Sequence, residues 1–264
     1  MNLLKQIRAL FRFFKFVSII TVYLIHGSII YFVNKEPILR RRRLIQNGSK
    51  YSQRLMNAFN VKLICHNPIS DDERSLLVGN HVGFVDILCL QSIRPAVFIT
   101  STEMKEAPGL GQICEVGGCT YVNRKNRKSI HEELKHLVDT LIDGFRIVLY
   151  AESVASNGEQ VLPFKKTLMM SAGLAGVPIR PFVFNFRDIN GEGVQYKDRD
   201  AVCWYGDQTF GPAIWRSFQL NKITCEIEFL PLVYTTPEDD RTAVAEKVHK
   251  MVSDKFVPFV KPKV

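Results

Sequence analysis

Ser75-Leu76-Leu77-Val78-Gly79-Asn80-His81-Val82-Gly83-Phe84-Val85-Asp86 is the stretch whose reading decides the fold. The apolar run 75–79 predicts a short buried strand, and Val85 onward predicts the start of a helix. His81 and Asp86 lie five residues apart, about 500° along a regular helix, so within one helix they would point away from each other. They meet only if His81 sits in the turn before the helix and Asp86 in its first turn. Gly83 supplies the backbone freedom for such a turn, and a carboxylate is favoured near a helix start. The spacing suits an imidazole held in one tautomer by an acid, the usual build of a general base. It equally suits a histidine beside an aspartate that serves only the helix dipole, and these residues alone leave both open.

Outward from this stretch, strands alternate with helices. Val61–Cys65, Ala96–Thr100, Cys119–Asn123, Arg146–Tyr150, Ile179–Phe186 and Ile223–Val233 predict strands. Leu44–Phe59, a weak segment over Glu103–Val116, and Lys166–Gly173 predict helices. A further helix opens at the capping box Ser129–Glu132 and stops at Gly144. Trp204–Phe218 is partly helical, and Thr236-Pro237 starts a last helix ending near Lys255. The expected class is α/β, a mixed and largely parallel sheet flanked by helices.

The net charge of +9 is unevenly placed. Residues 1–50 hold ten Lys/Arg and one acid, Glu36, and from 51 onward basic and acidic side chains cancel. A nucleic-acid binder spreads its basic residues over the folded domain, so no nucleic-acid partner is expected. Lys5, Arg8, Arg12 and Lys15 form one helical stripe, with Leu4, Ile7, Leu10, Phe11 and Phe14 on other faces, the pattern of a helix in a membrane interface. Phe16–Val33 carries no formal charge and is interrupted by His26-Gly27-Ser28. As one helix it would measure about 27 Å, barely a hydrocarbon core. Basic residues flank it on both sides, which suits a membrane-embedded helical pair bent near Gly27, with Arg40–Arg43 at anionic headgroups of the cytoplasmic face. A buried core helix followed by a solvated charge run is the competing reading. The expected organisation is an anchor over 1–50 and a catalytic domain over 51–264. The six cysteines are scattered and suit reduced core thiols, and no metal site is expected.

Three more stretches carry chemistry. Gly118–Arg124 ends a strand on an arginine, with Lys125, Arg127 and Lys128 following, a cluster suited to a phosphate or carboxylate. Tyr150–Gly158 places Glu152 just past a strand's carboxyl end and leads to Leu162-Pro163-Phe164-Lys165, where α/β sites form. Val177-Pro178-Ile179-Arg180-Pro181 opens a strand. Together and in order, the four stretches resemble the glycerolipid acyltransferase family. Asn80, His81 and Asp86 match its Asn-His-x-x-x-x-Asp motif. Gly118, Tyr121 and Arg124 match its second, Tyr150, Glu152 and Leu162–Lys165 its third, and Val177, Pro178, Ile179 and Pro181 its fourth. Ala151, Ser153, Val154 and Ala155 depart from the third motif, Ala155 standing where an arginine is common.

The resemblance covers about 45–264, and the basic apolar N-terminus looks like the family's membrane-embedded helices. It implies acyl transfer from an acyl thioester, coenzyme A or acyl carrier protein as co-substrate and no other cofactor, to the hydroxyl of a lysolipid. 1-Acylglycerol 3-phosphate is the first acceptor implied, and a lysophospholipid or the precursor of ornithine lipid is the alternative. A non-catalytic membrane-bound lipid-binding protein is the alternative from another class. His81 would be the base and Asp86 its orienting acid. Arg124, Glu152 and Lys165 would meet the acceptor headgroup, at a membrane surface on the cytoplasmic side. Cys119 is a core thiol or, less in keeping with its strand, a nucleophile. No Gly-x-Ser-x-Gly elbow is present, so attack without a covalent acyl-enzyme is expected.

Overall fold

A computed structural model describes residues 3–123 and 130–262. The elements run α1 (Leu3–Val33), α2 (Pro37–Phe59), β1 (Val61–His66), β2 (Leu76–Gly79), α3 (Phe84–Ile93), β3 (Val97–Ser101), α4 (Thr102–Glu106), α5 (Leu110–Val116) and β4 (Thr120–Val122). They continue with α6 (Ile130–Ile142), β5 (Ile147–Leu149), α7 (Ser171–Leu174), β6 (Ile179–Ile189), α8 (Arg199–Val202), α9 (Phe210–Gln219), β7 (Ile223–Phe229) and α10 (Arg241–Ser253).

Among the described residues seven strands form one sheet in the order β1-β7-β6-β2-β5-β3-β4. β6, β2, β5, β3 and β4 are parallel, and β7 is antiparallel to β6 while β1 is parallel to β7. The sheet is therefore mixed and mostly parallel, as the alternation of strands and helices implied. The parallel strands read as continuous apolar runs because both of their faces are covered. Leu77, Val148 and Phe182 point into one core with Phe59, Val85 and Phe218. Leu76, Val78, Ile147 and Leu149 point into the other with Leu137, Leu141 and Val248. The register of β6 on β7 sets Ile189 opposite Ile223. The carboxyl ends of the parallel strands thus share one edge with the starts of β7 and β1, and that edge carries His81.

Two local expectations change. The last helix is capped by Asp240, whose side chain accepts from Thr242 N–H and Ala243 N–H, and not by Thr236. Lys166–Gly173 splits into a single 3₁₀ turn, Leu168–Met170, followed by α7.

The N-terminal helices differ more. α1 continues unbroken through Gly27, so no helical hairpin turns there. A Cβ at Gly27 would sit 2.6 Å from the Val116 Cβ, so this glycine lets α5 approach the helix closely. The reversal comes at 34–36. Asn34 Nδ2 donates to Ile30 O at 2.7 Å, Glu36 accepts from Ile38 N–H and Leu39 N–H, and Pro37 stands in the first turn of α2. α2 then continues without a break past residue 50, burying Leu44, Ile45, Tyr51, Leu55 and Phe59 in the globular part.

α1 is long and apolar enough to cross a membrane, and one face of it meets no protein. Leu3, Ile7, Phe11, Phe14, Ile29 and Phe32 are exposed. Such a face belongs in an apolar medium, and it makes the chain membrane-associated. The opposite face carries Ala9, Arg12, Tyr23 and Gly27 and is buried. The basic stripe is accordingly divided. Lys5 and Lys15 are exposed, but Arg8 Nη1 donates to Gln219 O at 3.1 Å. Arg12 donates to Phe218 O at 3.3 Å, to Leu220 O, and to Asn221 O at 3.0 Å. These are carbonyls at and just beyond the end of α9, which have no partner within the helix, and a cation suits that end. Of the Arg40–Arg43 run, Arg40 lies over the Tyr31 ring at 4.6 Å and Arg41 donates to Thr140 Oγ1 at 3.2 Å. Arg42 and Arg43 are exposed.

Arg12→Met keeps the apolar stem and strands the Phe218 and Leu220 carbonyls, while Asn221 O keeps the Asn60 side-chain amide. It is expected to cost about 2 kcal/mol and to lower the melting temperature in detergent micelles by about 4–8 °C. Lys15→Met, on the same stripe, should stay within about 0.5 kcal/mol of the parent. Equal melting temperatures for the two variants would show that the α9 contacts of Arg12 add no stability.

Candidate active site

β2 ends at Gly79, and Asn80 fixes where the chain goes next. Its Nδ2 donates to Phe184 O at 2.9 Å and its Oδ1 accepts from Phe184 N–H at 2.8 Å, which pins the turn to β6. His81 follows, and Val82-Gly83 lead into α3. Gly83 has φ +155°, and a Cβ there would lie 2.9 Å from the backbone nitrogen of Trp204. Only glycine fits both conditions.

Asp86 falls in the first turn of α3 and points back into the loop. Its Oδ2 accepts from Val82 N–H at 2.6 Å and Gly83 N–H at 3.0 Å. His81 Nδ1 lies 3.1 and 3.0 Å from its two oxygens. An ionised carboxylate only accepts, so Nδ1 carries a proton and, in the neutral ring, Nε2 holds the lone pair. Asp86 is 1% exposed, whereas the His81 side chain keeps 19% of its surface open. The expected turn geometry is therefore present, and it offers a basic nitrogen beside a deeply buried acid.

The third motif closes around the same histidine. Tyr150 stacks its ring on the imidazole, centroids 4.0 Å apart and planes at 16°, and donates its hydroxyl to Asp86 Oδ1 at 3.0 Å. Ser156 N–H donates to His81 O at 2.8 Å, and Trp204 N–H donates to Val82 O at 2.8 Å.

Glu152 has a different place from the one expected at the acceptor headgroup. It is buried, accepting from His81 N–H at 2.7 Å and Leu162 N–H at 2.8 Å, one on each oxygen. Its side chain bridges the first and third motifs from behind the histidine. Burial pushes its pKa up to about 7, against the downward pull of those two N–H groups. Ser153, in the altered part of the motif, sits at φ +66°, a conformation that costs a non-glycine residue about 1 kcal/mol.

Lys165 is exposed and tied to the motif through its backbone, Lys165 N–H donating to Ala151 O at 2.7 Å. Arg124 lies outside the described residues, as do Lys125, Arg127, Lys128 and the capping residue Ser129. Cys119 precedes β4, at the opposite strand end from His81. It lines a cleft of about 350 Å³ with Tyr31, Arg40, Arg41, Tyr121 and Phe145, away from the imidazole. Sequence reasoning missed the Tyr150 hydroxyl and the backbone bonds of Ser156 and Trp204. Only the first had a visible signal, an ionisable aromatic two residues before a motif glutamate.

Residues 60–185 match the family model described as Acyltransferase. A 1-acyl-sn-glycerol-3-phosphate acyltransferase of Neisseria meningitidis is 27% identical over 217 residues, covering 82% of this chain and 81% of that protein. A lyso-ornithine lipid O-acyltransferase of Brucella abortus is 29% identical over 184 residues, covering 67% and 69%. Among solved structures, the 1-acyl-sn-glycerophosphate (LPA) acyltransferase PlsC of Thermotoga maritima superposes with a TM-score of 0.67 at 16% identity, covering 96% of this chain and 95% of that one. The four motifs, most of the mixed sheet and the His81–Asp86 turn all fall within the span of the family match, and the chain is an O-acyltransferase similar to these relatives.

Proposed function

We propose that the enzyme moves a fatty acyl group from an acyl thioester to the free hydroxyl of a lysolipid at a membrane surface, with 1-acylglycerol 3-phosphate as acceptor and phosphatidic acid as product. The observation that carries this reading is the His81 imidazole. Its Nδ1 is committed to a buried carboxylate, and its Nε2 is left for a substrate proton.

An alcohol has a pKa far above 7, so its proton must leave as its oxygen attacks. In the proposed step His81 Nε2 takes that proton while the oxygen adds to the thioester carbonyl. Asp86 stabilises the imidazolium. The tetrahedral intermediate then collapses, the carbon–sulfur bond breaks, and the departing thiolate takes the proton from His81. Coenzyme A or acyl carrier protein leaves as the free thiol, and the step uses no other cofactor. Arg124 and Lys165 are assigned to the acceptor's phosphate, where arginine can bind bidentately. Glu152 is assigned instead to holding the His81 backbone. The uncovered face of α1 would set the enzyme into the bilayer, with the exposed cations of residues 5–43 at anionic headgroups on the cytoplasmic face.

A second acceptor is favoured by one specific observation. The third motif lacks the arginine common in the family at position 155, and the Brucella abortus relative is named for lyso-ornithine lipid. An acceptor without a phosphate monoester fits that departure.

His81→Ala and Asp86→Ala should each lower turnover by about 10²–10⁴-fold, with membrane sedimentation unchanged, as read by lysolipid-dependent release of free thiol. Retention of most activity by purified His81→Ala would end the general-base assignment. The same assay across lysophosphatidic acid, a lysophospholipid and lyso-ornithine lipid identifies the acceptor, and thiol release with none of them would leave only a lipid-binding role. Arg124→Ala should raise KM for a phosphate acceptor and leave that for the thioester alone. The reverse pattern would move Arg124 to the donor.

A further inference from the structure

We propose that Tyr150 is a positioning residue for the catalytic pair. Its hydroxyl competes with His81 for Asp86 and so sets how tightly the imidazole holds its proton. The inference rests on the reading of His81 as general base and adds a third member to its machinery.

The geometry is closed on every side. Asp86 Oδ2 already takes two backbone N–H groups, from Val82 and Gly83. Oδ1 is the oxygen with no backbone donor, and Tyr150 gives it one at 3.0 Å. His81 Nδ1 faces the same atom at 3.1 Å. The tyrosine ring cannot swing away from this duty, since it is stacked against the imidazole at 4.0 Å and flanked by Phe98 and Phe182 at 6.3 and 6.1 Å between centroids. Burial and the adjacent Asp86 charge hold the phenol well above its ordinary pKa, so it stays a donor throughout the working range.

Each donor on a carboxylate withdraws charge from it. Around a carboxylate as buried as Asp86 these bonds are strong and influence one another. A carboxylate that also serves a phenol pulls less on the Nδ1 proton, and the imidazole becomes a weaker base. That keeps Nε2 unprotonated, and able to take a substrate proton, at lower pH. A phenylalanine at this position would make the same ring stack and leave Oδ1 to the imidazole alone.

The other titratable groups facing the pair are Glu152 behind the histidine, Cys89 on α3, Cys203 in the segment after α8 and Cys225 on β7. Burial raises the thiols of Cys203 and Cys225. Glu152, at about 7, titrates within the range of interest. It makes no hydrogen bond to the phenol, so its contribution is common to the parent and Tyr150→Phe.

The test is the pH profile of kcat/KM for the full chain in detergent micelles, parent against Tyr150→Phe. The acid limb of the variant should lie about half a pH unit higher, a roughly threefold weaker acid in the His81–Asp86 pair. A limb that does not move overturns the inference, even if the rate falls equally at every pH, because a uniform loss is what a merely structural hydroxyl produces. If the variant is too slow for a profile, ¹⁵N-histidine NMR decides the same question. The His81 Nδ1 proton should move downfield as Asp86 binds it more tightly, and an unchanged resonance overturns the proposal. His81→Ala separates the two levels: an active His81→Ala removes the general-base reading, whereas an inactive one with an unmoved Tyr150→Phe limb removes only this inference.

Discussion

A carboxylate with almost no contact with water is costly unless donors surround it, and around Asp86 this requirement shapes the whole turn. Val82 N–H, Gly83 N–H, the Tyr150 hydroxyl and His81 Nδ1 all converge on its two oxygens. To bring two successive backbone N–H groups onto one oxygen, the chain must fold back at Gly83. To bring the imidazole onto the same group, His81 must lie outside α3. The Asn80 bonds to β6 and the Glu152 bond to His81 N–H then hold that turn against the sheet. Two buried acids thus serve one histidine by different means. Asp86 acts on its ring and Glu152 on its backbone.

The division of the N-terminal helix follows from the same need to satisfy polar groups. Phe218, Gln219, Leu220 and Asn221 present carbonyls near the site end of the sheet, and Arg8 and Arg12 satisfy them from α1. These bonds tie α1 to the end of α9. A run of aromatic contacts joins them further: Phe16 meets Phe59 and Phe218, Phe59 meets Phe84, and Phe84 meets Phe210, which meets Trp204. Trp204 is bonded to the turn that carries His81. The apolar surface of α1 and the His81 turn are therefore linked through packed rings.

The third motif shows how a departure in sequence is absorbed. Ser153 occupies a left-handed conformation that a glycine adopts without cost, yet the loop keeps its course. Glu152 is anchored at both oxygens, Ser156 N–H reaches His81 O, and Lys165 N–H reaches Ala151 O. The backbone frame holds with Ala151, Ser153, Val154 and Ala155 standing in the motif.

Much of this was legible one residue at a time. The α/β class followed from short apolar runs alternating with amphipathic segments, because period and burial are local properties. A five-residue spacing across a glycine allowed His81 to meet Asp86 at a helix start, and the structure makes that contact. The apolar character of the N-terminus, with a helix long and apolar enough to cross a membrane, was also legible from composition. What only the tertiary structure decided are pairings between residues far apart in the chain. Nothing local says that Tyr150 would donate to a carboxylate 64 positions away, or Arg12 to carbonyls 206 and 208 positions away. The reversed direction of β7 against β6 and the inward turn of Glu152 are of the same kind. The bend expected at Gly27 moved to 34–36 for the same reason: the glycine meets Val116 of α5, and a contact across 89 residues overrides a weak local preference.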